Sequence, residues 1–234
     1  MNKIIRCYNC GKLLKKGEIT KEHIPARTLF EGFDSEHKVN RITVYACFNC
    51  NHHYSPTDEE FRNLIGVISK HYDNYSITDK AVKSITKNSG FDRLCCDSLG
   101  KVIGVSFKQQ TIEDFHKKNF KGLFYFQYGL PLPQNYELLV NIDENDFSQS
   151  TLSVLNYLQR FFKSKYSGHP NILSFCLQPL REIKRNPDKK DLDYKDNENI
   201  YACLLTYNQE HTALVYAIKT DYLTKIKHIK SLIL

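Results

Sequence analysis

The chain changes its hydrophobic period before residue 70, from two short strand-like runs to a helical one. The run Arg-Ile-Thr-Val-Tyr-Ala at residues 41–46 is β-branched and aromatic and predicts a strand, with Glu-Ile-Thr-Lys-Glu-His-Ile at 18–24 as its partner. Residues 25–39 are then the connecting loop. Ser55-Pro56-Thr57-Asp58-Glu59-Glu60 reads as a helix start, with Thr57 as N-cap, Glu60 at the capping-box position and acids in the first turn. Phe61, Leu64, Ile65 and Ile68 continue at helical spacing.

Downstream, residues 78–87 predict a short helix ending at Gly90, and 101–107 a strand. Residues 111–121 predict a helix stopped at Gly122. The aromatic run at 123–128 and the run at 137–142 predict strands. Residues 148–165 give the clearest helix, because Leu152, Leu155, Leu158, Phe161 and Phe162 share one face. Strands follow at 172–177, 200–207 and 213–219, and the charged stretch 184–199 reads as a long exposed loop. The division expected is a small module over residues 1–70 and a mixed α+β domain over 71–234.

Cysteine spacing changes this picture most. Cys7-Tyr-Asn-Cys10 and Cys47-Phe-Asn-Cys50 supply four thiolates, enough to close a tetrahedral zinc shell. The 36 residues between the pairs mean that two separate knuckles are brought together by the fold. Four thiolates leave no position for water, so this zinc is expected to be structural and coupled to folding. Redox dithiols are the rival reading. Of the eight Cys, the other four, Cys95, Cys96, Cys176 and Cys203, read as small core residues.

Composition sets outer bounds. Apolar residues make up 41% of the 234, and 15 Tyr and 14 Phe supply core bulk, which excludes a disordered chain. No apolar run approaches the about eighteen residues of a membrane span, and the N-terminus lacks a secretory pattern, so the expected location is the cytoplasm. The net charge of +7 mildly favours an anionic partner; residues 1–70 hold 11 Lys and Arg against 8 Asp and Glu.

A second constellation lies between the knuckles. Hydrolysis of a phosphodiester needs a base for water and a cation for the leaving oxygen. His23 is the candidate base, since neutral imidazole accepts a proton near neutral pH. Glu22 beside it is a candidate ligand for Mg²⁺ or Mn²⁺, provided that the backbone turns both side chains toward one site at the strand end. Asn51, directly after the last Cys, offers a second oxygen, and Asn40 is placed to orient His23. His52 and His53 are alternative ligands, which would suit Zn²⁺ or Ni²⁺.

Residues 7–66 resemble the HNH endonuclease family in its zinc-bound ββα-metal, treble-clef-like form. The resemblance runs through Cys7-x-x-Cys10-Gly11, Lys21-Glu22-His23-Ile24-Pro25, Asn40, Cys47-x-x-Cys50-Asn51 and Asp58-Glu-Glu-Phe61-Arg62. It implies that His23 activates water, that Glu22 and Asn51 bind the metal and that Asn40 orients the base. Glu22 stands where the family commonly has Asp, and Asn51 where a His is frequent, giving a His-Asn-Asn variant. The fold class expected is α+β, with a zinc-stabilised ββα-metal module followed by a mixed α+β domain.

The function expected is a divalent-metal-dependent endonuclease acting on nucleic acid, DNA first. Lys12, Lys15, Lys16, Lys21, Arg27 and Arg41 are the candidate phosphate contacts, and the C-terminal domain is expected to choose substrate or a protein partner. The alternative is a non-catalytic zinc module that binds nucleic acid or protein. Residues 71–234 show no Gly-rich phosphate loop and no nucleophile motif, and His116, His169 and His211 look isolated there.

Overall fold

The computed structural model describes residues 4–68, 75–87, 93–142, 147–184 and 193–225. It is a mixed α+β protein of two compact units. The first comprises Met1–Leu132 with Tyr166–Ser174 and Thr206–His211; the second comprises Pro133–Lys165, Phe175–Leu205 and Thr212–Leu234. The third to sixth elements after the hairpin therefore belong with the N-terminal module, where sequence suggested a boundary near residue 70. Among the described residues, no helix is long and apolar enough to cross a membrane.

In the first unit, β1 (Ile19–Ile24) and β2 (Ile42–Cys47) pair antiparallel in unbroken register from Ile19↔Cys47 to Ile24↔Ile42. The intervening segment is more ordered than a plain loop, with 3-10 turns at Arg27–Phe30 and Ser35–Lys38. After β2 come α1 (Phe48–His53) and α2 (Ser55–Ile68). The second helix begins two residues before Thr57, because the Asp58 N–H already bonds to the Tyr54 carbonyl at 2.8 Å. Phe61 and Ile65 are buried along it as its period requires.

The helix α3 (Tyr75–Lys87) packs on α2. A hairpin of β3 (Leu94–Cys96) and β4 (Val102–Val105) follows, and it leaves Cys95 and Cys96 exposed, against the expectation of core residues. The end expected for α3 at Gly90 lies outside the described residues.

The largest correction concerns α4, a single helix over Gln109–Tyr128. It runs through Gly122 and absorbs the strand expected at 123–128. Ile112, Phe115, Phe120, Leu123 and Phe124 are all buried, a helical period that the continuous aromatic run conceals. Gly122 is a packing site, not a stop: a Cβ there would collide with the Ile24 side chain of β1. The helix ends instead at Gly129, left-handed at φ 74°, whose N–H bonds to the Tyr125 carbonyl at 2.8 Å.

The second unit is built on a sheet ordered β5-β9-β8-β7-β6. These strands are β5 (Tyr136–Asn141), β6 (Lys165–Tyr166), β7 (Leu173–Lys184), β8 (Asp193–Tyr207) and β9 (His211–Lys219). Residues 193–199, expected in a loop, extend β8, while 185–192 lie outside the described residues. Ser148 caps α5 (Gln149–Phe161), its hydroxyl accepting the Thr151 N–H at 3.2 Å. Leu158 of α5 and Leu223 of α6 (Thr220–Lys225) join Cys176, Ala202, Leu204, Leu214, Tyr216 and Ile218 in one apolar cluster.

Candidate functional site

The four knuckle cysteines converge as their spacing predicts. The first knuckle turns through Gly11 at φ 73°, where the Gly11 N–H bonds to the Cys7 carbonyl at 3.0 Å, and the Tyr8 N–H ties it to the Tyr45 carbonyl of β2 at 2.8 Å. The second knuckle is the junction of β2 and α1. Together they bring Cys7, Cys10, Cys47 and Cys50 close enough to bind a metal ion, with all four sulfurs within 4.8 Å of one another. Cys10 Sγ and Cys47 Sγ are 3.9 Å apart. That is near the edge of about 3.8 Å for a tetrahedron with metal–sulfur bonds of about 2.3 Å. Asn9 donates from Nδ2 to Cys50 Sγ at 3.4 Å, an outer contact that orients this sulfur.

The Glu22–His23 step resolves into two opposite faces. Because pairing continues to Ile24↔Ile42, the strand does not turn at His23, and successive side chains alternate. Glu22 and Ile24 are buried, Lys21 is exposed and His23 is half-buried. The strand-end turn expected to unite Glu22 and His23 is not what β1 makes.

The Glu22 carboxylate instead meets Lys118 of α4, whose side chain is fully buried, at 2.9 Å. Lys118 also donates to both carboxylate oxygens of Asp58 at 2.7 Å and sits 5.4 Å from the centre of the Tyr54 ring. Burial pushes the Glu22 and Asp58 carboxyls up, and the Lys118 ammonium pulls each back. Tyr8 forms part of the same node: its phenol is buried, and it is raised by burial and then by Glu22. Asn9 links this node to the cysteines, since its Oδ1 accepts from Tyr54 at 3.4 Å and from Lys121 at 3.0 Å. None of Asn9, Tyr54, Lys118 and Lys121 stood out in the sequence. A lysine on a helix reads as solvated, and only its long-range carboxylate partners reveal otherwise.

On the other face, His23 is held below the usual histidine range, first by burial, then by Arg41, Arg27, Lys118 and Lys21. Arg41 is fixed by its Nε bond to the Lys38 carbonyl at 2.9 Å and lies over the Phe30 ring. The six basic candidates thus divide: Lys21, Arg27 and Arg41 act on His23, while Lys12, Lys15 and Lys16 are exposed in the first knuckle, where Lys12 pairs with Glu18 at 3.2 Å.

Asn40 is exposed just before β2, and its carbonyl accepts the Gly168 N–H at 3.0 Å. Ser167 beside it closes the hairpin end, accepting from the Ile42 N–H at 2.9 Å and donating to the Ile24 carbonyl. Asn51 is half-buried on α1; His52 and His53 are exposed, His52 against the Phe48 ring at 4.2 Å between centroids and His53 against Tyr54. The helix α1 packs on both strands, which keeps Asn51 on the hairpin's own module.

His116 and His211, which the sequence leaves isolated, form a buried pair with their Nε2 atoms 2.9 Å apart and rings stacked at 8°. Phe61 lies edge-on to both. Burial drives His116 well below the ordinary histidine range and His211 down to about 4.

The site is thus a four-cysteine centre bracing a hairpin with a buried acidic side and a basic, histidine-bearing side. Comparison with protein-family models, curated proteins and solved structures gives no match.

Proposed function

We propose that the N-terminal module is a zinc-braced phosphodiesterase of the HNH type that acts on nucleic acid, DNA first, with His23 as the base. The observation that carries this reading is a half-buried imidazole whose pKa is lowered first by burial and then by the charges of Arg41, Arg27, Lys118 and Lys21. Those charges favour the unprotonated base, and Lys21, Arg27 and Arg41 are the ones offered to a phosphate. His23 takes a proton from water as it bonds to phosphorus. The P–O bond to the leaving sugar oxygen breaks with its electron pair on that oxygen, which takes a proton from solvent, and the guanidinium groups of Arg27 and Arg41 offset charge growing on the phosphoryl oxygens. Zinc at Cys7, Cys10, Cys47 and Cys50 is structural, because four thiolates complete its shell.

The donor set for Mg²⁺ or Mn²⁺ does not fit the expected form. Glu22 supplies no ligand on the His23 face, because its carboxylate lies on the other side of β1, bonded to Lys118. Asn51, His52 and His53 are the remaining candidate donors, and Asn40 keeps its candidate role of orienting the base. The second unit is assigned to choosing a substrate or protein partner.

A second reading, binding of nucleic acid without cleavage, draws support from that same commitment of Glu22. One experiment separates the two. Zinc-loaded wild type and His23→Ala are incubated with plasmid, linear and single-stranded DNA under Mg²⁺, Mn²⁺ or chelator. Hydrolysis by His23 predicts a cut wild type and a loss of about 10²–10⁴-fold in His23→Ala, with zinc content unchanged. Cleavage at full rate by His23→Ala removes His23 as the base, and salt-dependent binding with no products favours the binding module.

A further inference from the structure

We propose that Lys118 is the resident cation of the Glu22–Asp58 pair, so that this acidic pocket takes no divalent metal ion in the native protein. The inference is independent of whether His23 cleaves a phosphodiester, because it is read by ion binding.

An ammonium has three N–H donors, and Lys118 Nζ has three carboxylate oxygens around it, Glu22 Oε1 at 2.9 Å and both Asp58 oxygens at 2.7 Å. Every donor finds an acceptor, the condition under which a fully buried lysine is tolerated. The Tyr54 ring at 5.4 Å adds a further favourable surface for the same charge.

Those three oxygens are also the ligands that a hard cation would need. Mg²⁺ demands about six oxygens near 2.1 Å in an octahedron, and Mn²⁺ favours a similar oxygen shell. Here the two carboxylates offer four oxygens, and three belong to the ammonium. Glu22 Oε2 is the remaining one, buried and without a hydrogen-bond partner, as is the Tyr8 hydroxyl. A divalent ion added beside Lys118 would place three positive charges against two negative ones within a buried pocket. Its entry therefore requires the lysine to leave. Lys118 is held inside a 20-residue helix whose neighbours Phe115 and Phe120 are themselves fully buried, so withdrawal of the side chain opposes the packing of α4.

The consequence for the chain is that Glu22 is a positioning residue. It pins α4 to β1, and Asp58 pins the same lysine to α2, which makes α4 a third structural wall of the zinc-braced module.

The test uses the zinc-loaded full chain and Mn²⁺ titrated by electron paramagnetic resonance of the free ion. Glu22→Gln and Asp58→Asn, each with Lys118 retained, are expected to give the same Mn²⁺ isotherm as the wild type, whether or not ions bind elsewhere. Lys118→Met, which empties the seat but keeps its bulk, is expected to gain a Mn²⁺ site at least tenfold tighter than any in the wild type, and Lys118→Met with Glu22→Gln to lose it again. Tenfold or greater weakening of wild-type Mn²⁺ binding by Glu22→Gln or Asp58→Asn overturns the proposal. So does a Lys118→Met protein that retains zinc and takes up no additional Mn²⁺. Where Lys118→Met fails to fold, the comparison of wild type with the two carboxylate variants decides alone.

Discussion

In the second unit Leu158, Cys176, Ala202, Leu214 and Ile218 close on one another with no charge among them, whereas the first unit buries Lys118, Glu22 and two histidines in contact with their partners. An apolar cluster is tuned by volume: lost atoms weaken it in proportion, and the surroundings relax. A polar node is satisfied as a whole or not at all, because one missing partner leaves a desolvated group behind. The two units should therefore fail differently. The largest failure belongs to the cysteines. Cys47→Ser is expected to lose bound zinc and disorder the hairpin, since structural sites of this type contribute on the order of 10 kcal/mol of apparent binding energy at neutral pH. Zinc analysis with near-ultraviolet circular dichroism checks this, and native spectra without zinc would contradict a structural metal.

The contrast is sharpened by a truncation in the other unit. Leu158 is fully buried in its cluster, so Leu158→Ala is expected to cost about 2–5 kcal/mol in urea unfolding. Zinc content at neutral pH should stay at the wild-type value. Loss of zinc in this variant would show that the two units do not fail separately.

Acid should expose the first unit's reliance on neutral histidines. His211 is held at about 4 against an ordinary value of 6.5. Below pH 6.5 the unfolded chain binds a proton that the folded chain refuses, so stability is fully present above 6.5 and falls as pH drops toward 4. The loss for His211 is roughly 3 kcal/mol by pH 4, and His116 adds to it in the same direction. Urea midpoints at pH 7 and 4.5 measure this, with His211→Phe expected to flatten the profile; zinc release contributes to both proteins alike. An equally steep profile in the variant would remove the pair as the acid-sensitive element.

What was legible in the sequence follows the same division. The hairpin, the knuckles and α5 were visible because local spacing determines them: strands of β-branched residues, two Cys-x-x-Cys pairs, and a leucine face beginning at Ser148. The buried node was not, because Lys118 lies 60 residues from Asp58, and His116 lies 95 from His211. Nothing near either residue in sequence announces its partner. The expectation for Glu22 failed for a local reason: it required the strand to turn at His23, and the Ile24↔Ile42 pairing holds the chain extended for one residue more.

Gly122 provides the finest test of how α4 is seated on the hairpin. In a helix interior, Gly→Ala ordinarily gains about 0.5–1 kcal/mol, because Gly sacrifices more backbone freedom on folding. At position 122 the added methyl meets the Cδ1 and Cγ1 atoms of Ile24, a side chain with no exposed surface into which to retreat. Overpacking costs about 1–3 kcal/mol, so repulsion outweighs propensity and Gly122→Ala is expected to destabilise by about 1 kcal/mol. Ile24→Val removes Cδ1, one of the two atoms in collision, at a cost of about 0.5–1.5 kcal/mol when made alone. The double variant should therefore be more stable than the sum of the single changes predicts, by a coupling of about 1 kcal/mol. Strict additivity in the urea midpoints would mean that α4 can shift off β1 without cost, and the close approach that carries Lys118 to Glu22 would lose its packing support.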